Sequence, residues 1–342
     1  MHRSGTSALC GILRFLGFDL GTDLLSPNEF NPTGYWENQS VVRLNDRILS
    51  HLGASWSDAF LLPYHVGGTD LREVFGAQAK ALLNEAFSGR QTWVLKDPRL
   101  AMLIEFWLPY VGERNASFIH VVRNPIDVAN SLGRRDGFPK ERSLLLWFLQ
   151  NLNAEFFTRG SNRCFINYED CVSDWRGALE EAFRRLKLRP VRSFDHATAD
   201  VERFIEKGRT RRPEQVCGPT DIGYKLVEEA FETLKNAGQA PESQIQERCD
   251  ELINRFRDSA GLLFRTVAES DLRAELKAAR KRISVLTTKE LALKGKVDEL
   301  QKRKLLLTER DSCRVREFLS VSLWRFWWVW LPIVLIPVWI FD

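Results

Sequence analysis

The sequence predicts an α/β fold, with a P-loop-like parallel sheet flanked by helices. Two observations carry this prediction: a small-residue loop opens the first helical stretch, and three short apolar runs, separated by helical stretches, each end in charged residues. Near-continuous apolar runs of this length are typical of strands in a parallel sheet. Because ligands bind beyond the carboxyl ends of such strands, the charged clusters predict a single shared site.

The loop is the run Met1-His2-Arg3-Ser4-Gly5-Thr6-Ser7, which precedes the apolar helical stretch 8–18. Backbone N–H groups at a helix N-terminus converge on an anion, and an arginine and hydroxyls suit phosphate oxygens. The pattern departs from G-x-x-x-x-G-K-[ST], because the arginine precedes the glycine and no lysine follows it, which disfavours a P-loop kinase. By itself the run is equally consistent with an ordinary polar N-terminus that caps a helix.

The predicted strands and the charged residues after them come in a fixed order along the chain. They are 92–95 before Lys96-Asp97-Pro98-Arg99, 117–122 before Arg123-Asn124-Pro125, and 163–167 before Tyr168-Glu169-Asp170. In the first cluster we expect Asp97 and Arg99 to form a turn and a local ion pair, with Pro98 at the corner.

Five motifs together carry a resemblance to a known family. They are H-R-S-G-T-S-A-L at 2–9, N-P-T-G-Y-W-E-N at 31–38, L-K-D-P-R at 95–99, V-V-R-N-P at 121–125 with Ser131, and Y-E-D at 168–170. This series resembles the sulfotransferases that use 3′-phosphoadenosine 5′-phosphosulfate (PAPS), particularly the bacterial branch related to carbohydrate and tyrosylprotein sulfotransferases. The motifs span roughly the first half of the chain, and five ordered matches are more specific than any single one.

The resemblance implies where the donor PAPS binds. Arg3 takes the place of the family's loop cation, and the backbone from Ser4 through Gly5 and Thr6 to Ser7 would hold the 5′-phosphosulfate. Arg123 and Ser131 match the pair that grips the 3′-phosphate. Tyr168 matches a tyrosine near the nucleotide, although an aromatic residue at a strand end is more often a packing residue than a ligand.

The resemblance also implies the catalytic residues, Glu37 and Lys96. Glu37 would be the general base that takes the proton of the acceptor hydroxyl, and Lys96 would face the sulfuryl transfer as a compact positive charge. The other candidates for the base are Glu29, Asp97 and His120, and the alternative for Glu37 itself is a solvated carboxylate in a surface loop. The mechanism requires no metal, and the histidines and cysteines show no metal-ligand spacing.

A heptad pattern predicts a coiled coil over 270–310, most simply a parallel homodimer. Its seam consists of apolar or alanine residues: Leu272, Leu276, Ala279, Ile283, Leu286, Leu293, Val297, Leu300 and Leu307. Glu290 and Lys304 interrupt the pattern, and Gly295 weakens a helix by about 1 kcal/mol relative to alanine. The alternative is a single amphipathic helix that lies on the catalytic domain.

The segment 318–341 is predicted to associate with a membrane. It is apolar and rich in tryptophan, its one charge is Arg325, and basic residues precede it. A tilted span, a re-entrant hairpin and an interfacial anchor all remain open, and Pro332 and Pro337 would kink a helix. The positive-inside rule would then keep the catalytic domain on the cytoplasmic face of the membrane.

Length and composition restrict the remaining possibilities. The 342 residues suit a sulfotransferase-like α/β domain over 1–265 followed by the helical tail. The net charge of +4 suits an anionic donor but is too small to indicate nucleic acid. The six cysteines are widely spaced, which predicts buried thiols in a reducing cytosol.

Two functions from different classes follow. The first is a membrane-tethered sulfotransferase that modifies a hydroxyl of a glycan or glycolipid. The second is a catalytically inactive relative that serves as a dimeric membrane scaffold. Members of the family carry a strand before the loop, and this first strand is missing from the sequence pattern. Either Met1 is an internal methionine, or this form lacks a central strand and is impaired. We favour the first explanation, which predicts that an N-terminally extended form binds the donor more tightly.

Overall fold

A computed structural model describes residues 1–29, 31–58, 69–111, 116–208, 222–258 and 293–297. The chain divides into two units, Met1–Ser259 and Ala260–Asp342. Most of the first unit is described. The predicted coiled coil and the predicted membrane-associated segment lie outside the described residues, apart from the short helical stretch 293–297.

The first unit is mostly helical and contains a small parallel sheet, which agrees with the predicted α/β class. Its first helices are α1 (Thr6–Phe15), α2 (Gln39–His51), α3 (Thr69–Phe87) and α4 (Leu100–Val111). Strand β1 (Ser117–Val122) is followed by α5 (Pro125–Asp136) and α6 (Lys140–Phe157). Strand β2 (Asn162–Asn167) is followed by α7 (Tyr168–Ser173), α8 (Trp175–Leu186), α9 (Phe194–Gly208) and α10 (Ile222–Lys235), and a further helix, α11, runs over 242–258.

The two strands pair in parallel, with Ser117 opposite Asn162 and Val122 opposite Asn167. Successive residues of β1 face different parts of the core. Val121 packs with α1 and with α7 to α9, whereas Val122 packs with α5, α6, α10 and α11. Helices therefore cover both faces of the sheet, which explains why the strands read as nearly continuous apolar runs.

The predicted strand at 92–95 requires a correction. Within the described residues it forms only a single parallel bridge, between Trp93 and Asp19. The backbone N–H of Asp19 donates to Thr92 O (3.2 Å), and Val94 N–H donates to Asp19 O (2.7 Å). The partner turns away two residues later at Gly21, whose φ is +80°. The ladder therefore does not extend, although the run still leads into Lys96.

The helices that hold site residues begin at positions determined by the local sequence. Gly5 precedes α1 in the left-handed conformation, with φ +89°. The side chain of Asn38 accepts the backbone N–H of Val41 at the start of α2, and that of Asn124 accepts the N–H of Ile126 at the start of α5. Both are typical N-caps. Besides the two core clusters that contain Val121 and Val122, apolar residues of α2, α3 and α4 form a third cluster.

Candidate functional site

The loop before α1 lies at the carboxyl ends of both strands. Arg3 and Gly5 both have positive φ, of 63° and 89°, so the backbone turns sharply before the helix. Gly5, the N-cap of α1, has no side chain that could cap the first turn. The first N–H groups of a helix point out of its N-terminus, here toward the loop, as in an anion-binding N-terminus.

Four of the predicted donor-site residues meet at this loop. Arg3 Nε donates to Ser131 Oγ (2.8 Å), and Arg123 Nη1 donates to the carbonyl oxygen of Arg3 (3.0 Å). The Arg123 guanidinium lies over the ring of Tyr168, 4.4 Å from its centroid. The sequence resemblance paired Arg123 with Ser131, whereas the structure connects them through Arg3. Tyr168 packs against Gly5 as well, a contact of the kind expected from a packing residue, which was one of its two predicted alternatives.

Three polar atoms at this loop are buried and have no hydrogen-bond partner among the described residues. They are Nε2 of His2, Oγ of Ser4, a residue that is fully buried, and Nε of Arg123. A buried polar atom without a partner costs free energy and requires an explanation. An anionic ligand in the loop would supply oxygens for donors of this kind.

The two predicted catalytic residues form a buried ion pair. Lys96 Nζ donates to Glu37 Oε1 (2.5 Å), to the carbonyl oxygen of Tyr35 (2.9 Å) and to Ser7 Oγ (3.2 Å). Glu37 is only 4% exposed, so the alternative of a solvated surface carboxylate is wrong. Through Ser7, the pair is connected to the same loop that carries Arg3.

Burial raises the pKa of Glu37 above its ordinary value, and Asp97 contributes in the same direction, while Lys96 and Arg99 oppose the shift. Arg99 Nη1 lies 3.9 Å from Glu37 Oε2. Arg99 is held in turn by Asp97, whose Oδ1 accepts both its backbone N–H (2.9 Å) and its Nη1 (3.0 Å). The predicted turn and ion pair between Asp97 and Arg99 are thus confirmed.

Sequence reasoning did not single out several residues that build the site. Asn31 Nδ2 donates to the carbonyl oxygen of Gly34 (2.6 Å) and to Ser7 Oγ (3.3 Å), so it closes the turn before Glu37. Asn45 Nδ2 donates to Asp97 Oδ2 (2.9 Å). The signal for Asn31 was available, because asparagine before proline and glycine is typical of such turns.

The other candidates for the base lie elsewhere or have another role. His120 is stacked on Phe165, its Nε2 lies 3.0 Å from Thr158 Oγ1, and burial lowers its pKa to about 3. Glu29 is exposed. The carboxylate of Asp97 accepts hydrogen bonds from Arg99 and Asn45. Glu37 is therefore the carboxylate that the fold places beside both Lys96 and the loop.

The described ranges contain no group of His, Cys, Asp and Glu side chains that could hold a metal ion. Cys10, Cys164, Cys171 and Cys249 are free and buried, as predicted for these four. No helix of the part that the structure describes is both long and apolar enough to cross a membrane.

The site thus contains two cationic groups joined by one loop. The first consists of Arg3 and Arg123 with Ser131, and the second of Lys96 with Glu37 and Ser7. Two separate cationic positions suit a ligand with two anionic groups, since a guanidinium binds phosphate through several donors. The buried carboxylate in the second group is a possible proton acceptor.

The chain is similar in structure to the sulfotransferase domain from the curacin biosynthetic pathway. The match covers 67% of this chain and 94% of that domain, at 18% sequence identity and a TM-score of 0.37. No family model and no curated protein matches the chain.

Proposed function

We propose that this protein is a PAPS-dependent sulfotransferase that transfers a sulfuryl group to an acceptor hydroxyl. The acceptor that we propose is a carbohydrate or a glycolipid. The observation that carries the proposal is the contact of Ser7 with Lys96, which joins the Glu37–Lys96 pair to the loop that also holds Arg3. The ordered motifs of the sequence supply the identity of the donor.

The donor would be held by both cationic groups. Arg3, Arg123 and Ser131 would bind the 3′-phosphate, and the backbone of residues 4–7 with Lys96 would bind the 5′-phosphosulfate. The buried, unpartnered Nε of Arg123 and Oγ of Ser4 support this assignment, because both atoms can donate to a ligand oxygen.

The reaction requires the acceptor oxygen to attack sulfur while the bond from sulfur to the phosphate oxygen breaks. Glu37 would take the proton of the acceptor hydroxyl, an effect worth about 10²- to 10⁴-fold in rate. The electron pair of the broken bond stays on the phosphate oxygen of the leaving nucleotide. Lys96 would stabilise the charge that develops there, as preorganised cations do in other transfer reactions.

The existing Glu37–Lys96 hydrogen bond is compatible with both roles. Lys96 Nζ donates a hydrogen bond to Glu37 Oε1, whereas Arg99 Nη1 lies 3.9 Å from Oε2, beyond hydrogen-bond distance. We propose that Oε2 receives the acceptor hydroxyl. The neighbouring cations Lys96 and Arg99 oppose the rise in the pKa of Glu37 that burial causes, and so favour the ionised form that can accept a proton.

The remaining parts of the proposal concern the tail of the chain. We propose that residues 270–310 join two copies and that residues 318–341 hold the protein at the cytoplasmic face of a membrane. Their support is the heptad pattern and the apolar, tryptophan-rich composition of the sequence.

Calorimetric titration of the full chain with 3′-phosphoadenosine 5′-phosphate, the desulfated donor, tests the proposal. We expect binding in the wild type, loss of most of the affinity in Arg123→Ala, and unchanged binding in Arg184→Ala, which removes an exposed arginine of α8. Glu37→Gln should bind the nucleotide but transfer the sulfuryl group to a panel of glycan acceptors about 10²- to 10⁴-fold more slowly than the wild type.

The inactive scaffold is the competing function, and the same experiment separates the two. A scaffold has no need of the nucleotide, so absent binding in the wild type, or equal binding in Arg123→Ala, would contradict the sulfotransferase proposal. Binding without transfer by the wild type to any acceptor of the panel would also favour the scaffold.

A further inference from the structure

His2, directly before Arg3 in the loop, carries a buried nitrogen that the proposed function does not use. The residue is 9% exposed, and its Nε2 has no hydrogen-bond partner among the described residues. Leaving such a group unsatisfied is unfavourable, because it has lost its hydrogen bonds to water and gained none in the protein. A buried polar atom that is retained at this cost beside an anion-binding loop points to a ligand.

The ring of His2 packs against Trp56. The two ring centroids are 4.1 Å apart at an interplanar angle of 44°. Trp56 in turn contacts Phe138, with ring centroids 5.6 Å apart, and its carbonyl oxygen accepts a hydrogen bond from Gln150 Nε2 (3.0 Å). Trp56 and Phe138 both pack against the apolar core that contains α5 and α6, so His2 lies against an ordered part of the fold.

The charges around His2 come from both sides of the site. Burial lowers its pKa well below the ordinary value, and Arg99, Arg135 and Lys96 contribute in the same direction. Arg99 and Lys96 belong to the neighbourhood of Glu37, whereas Arg135 lies one turn after Ser131 on α5. His2 is thus a neutral imidazole surrounded by positive charge.

We propose that His2 is a further anion-binding residue, whose Nε2 contacts an anionic oxygen of the bound donor nucleotide. The inference rests on the proposed function and names a contact that the motifs do not. A neutral imidazole carries an N–H that can donate to an anion. The cations around it attract the same anion, and the anion in turn offsets the field that disfavours the imidazolium.

Two matched variants separate the nitrogen of His2 from its ring. His2→Phe keeps an aromatic ring against Trp56 but has no N–H, whereas His2→Gln keeps an N–H donor but has no ring. In calorimetric titrations of the full chain with 3′-phosphoadenosine 5′-phosphate, we expect His2→Phe to weaken binding about 10- to 100-fold, which corresponds to about 1.5–3 kcal/mol. His2→Gln should stay close to the wild type.

Titration with 5′-AMP and with inorganic sulfate assigns the oxygen. If His2→Phe weakens the binding of all three ligands, Nε2 contacts the group at the loop. If it weakens only the binding of the bisphosphate, Nε2 contacts the 3′-phosphate. Both results support the inference. Unchanged binding of the bisphosphate in His2→Phe, or equal losses in His2→Phe and His2→Gln, would overturn it while leaving the proposed function intact.

A second measurement reports on the imidazole directly. We expect the NMR titration of the His2 ring protons, assigned with His2→Gln, to show a pKa that rises when the bisphosphate is added. No change of that pKa in the saturated protein would contradict the contact. If the wild type binds no bisphosphate at all, the proposed function fails and this inference fails with it.

Discussion

The ring of Tyr168 occupies the space that a side chain at Gly5 would need. A Cβ atom added to Gly5 would lie 2.0 Å from Tyr168 Cδ2. The Arg123 guanidinium lies over the same ring, 4.4 Å from its centroid. The loop before α1, the end of β1 and the start of α7 therefore form one packed unit. Because Arg123 also donates to the carbonyl oxygen of Arg3, the contact between glycine and tyrosine sets the position of the proposed phosphate ligands.

Gly5→Ala should destabilise the protein and weaken nucleotide binding. The left-handed backbone alone costs a residue with a Cβ atom about 1–2 kcal/mol, and the overlap with Tyr168 adds to this. Gly53→Ala is the matched control, because Gly53 also has positive φ (72°) but has no atom within 4 Å of the added Cβ. We expect chemical denaturation to give a larger loss for Gly5→Ala than for Gly53→Ala; equal losses would mean that the ring moves aside freely.

Substitution of Tyr168 distinguishes a packing role from a ligand role. Tyr168→Phe keeps the ring under Arg123, so its affinity for 3′-phosphoadenosine 5′-phosphate should match that of the wild type. Tyr168→Leu removes the cation–π contact, worth about 0.5–2 kcal/mol, and should weaken binding about 3- to 30-fold. If Tyr168→Phe is weakened as much as Tyr168→Leu, then the hydroxyl is itself a nucleotide ligand.

Much of the sheet was predictable, because its strands are local apolar runs whose two faces are both covered by helices. β1 and β2 lie where the sequence predicts them, and they are parallel. The run at 92–95 has a similar composition but forms only the bridge of Trp93 with Asp19. Whether a run pairs along its length depends on distant residues, here on the turn at Gly21, and composition does not contain that information.

The residue types of the site were predictable, whereas their contacts were not. The ion pair of Glu37 with Lys96 depends on the turn over 31–38, in which Trp36 has a φ of +59°. Bulky residues rarely adopt such a backbone, so no propensity would predict it. Arg14 lies 4.9 Å from the centroid of the Trp36 ring, a contact that fixes the turn against α1.

A buried charge cluster away from the site should control stability. Glu155 is fully buried, and its carboxylate binds Arg163 Nη2 (2.9 Å) and Arg159 Nη2 (2.7 Å). Glu155→Ala leaves the arginines without this partner, and removal of one member of a buried pair costs about 3–5 kcal/mol. Denaturant titration should show this loss, whereas Glu202→Ala, which removes an exposed carboxylate of α9, should leave the midpoint unchanged. A small loss for Glu155→Ala would mean that Glu242 and Asp250, which also pair with Arg163 and Arg159, suffice to hold the two arginines.

The pH dependence of sulfuryl transfer should reflect the raised pKa of Glu37. The base acts in its ionised form, so kcat/KM should rise with pH along a limb whose midpoint lies above the ordinary carboxyl value of 4.5. Because the native state holds this proton more firmly than the unfolded chain, the contribution of Glu37 to stability is complete below that ordinary value and is lost as pH rises through the raised pKa. Glu37→Gln should abolish this limb of the pH–rate profile in the residual activity and flatten the dependence of stability on pH over the same range. Glu29→Gln, which changes an exposed carboxylate in the same region, should alter neither profile. A limb that persists in Glu37→Gln would assign the base to another group.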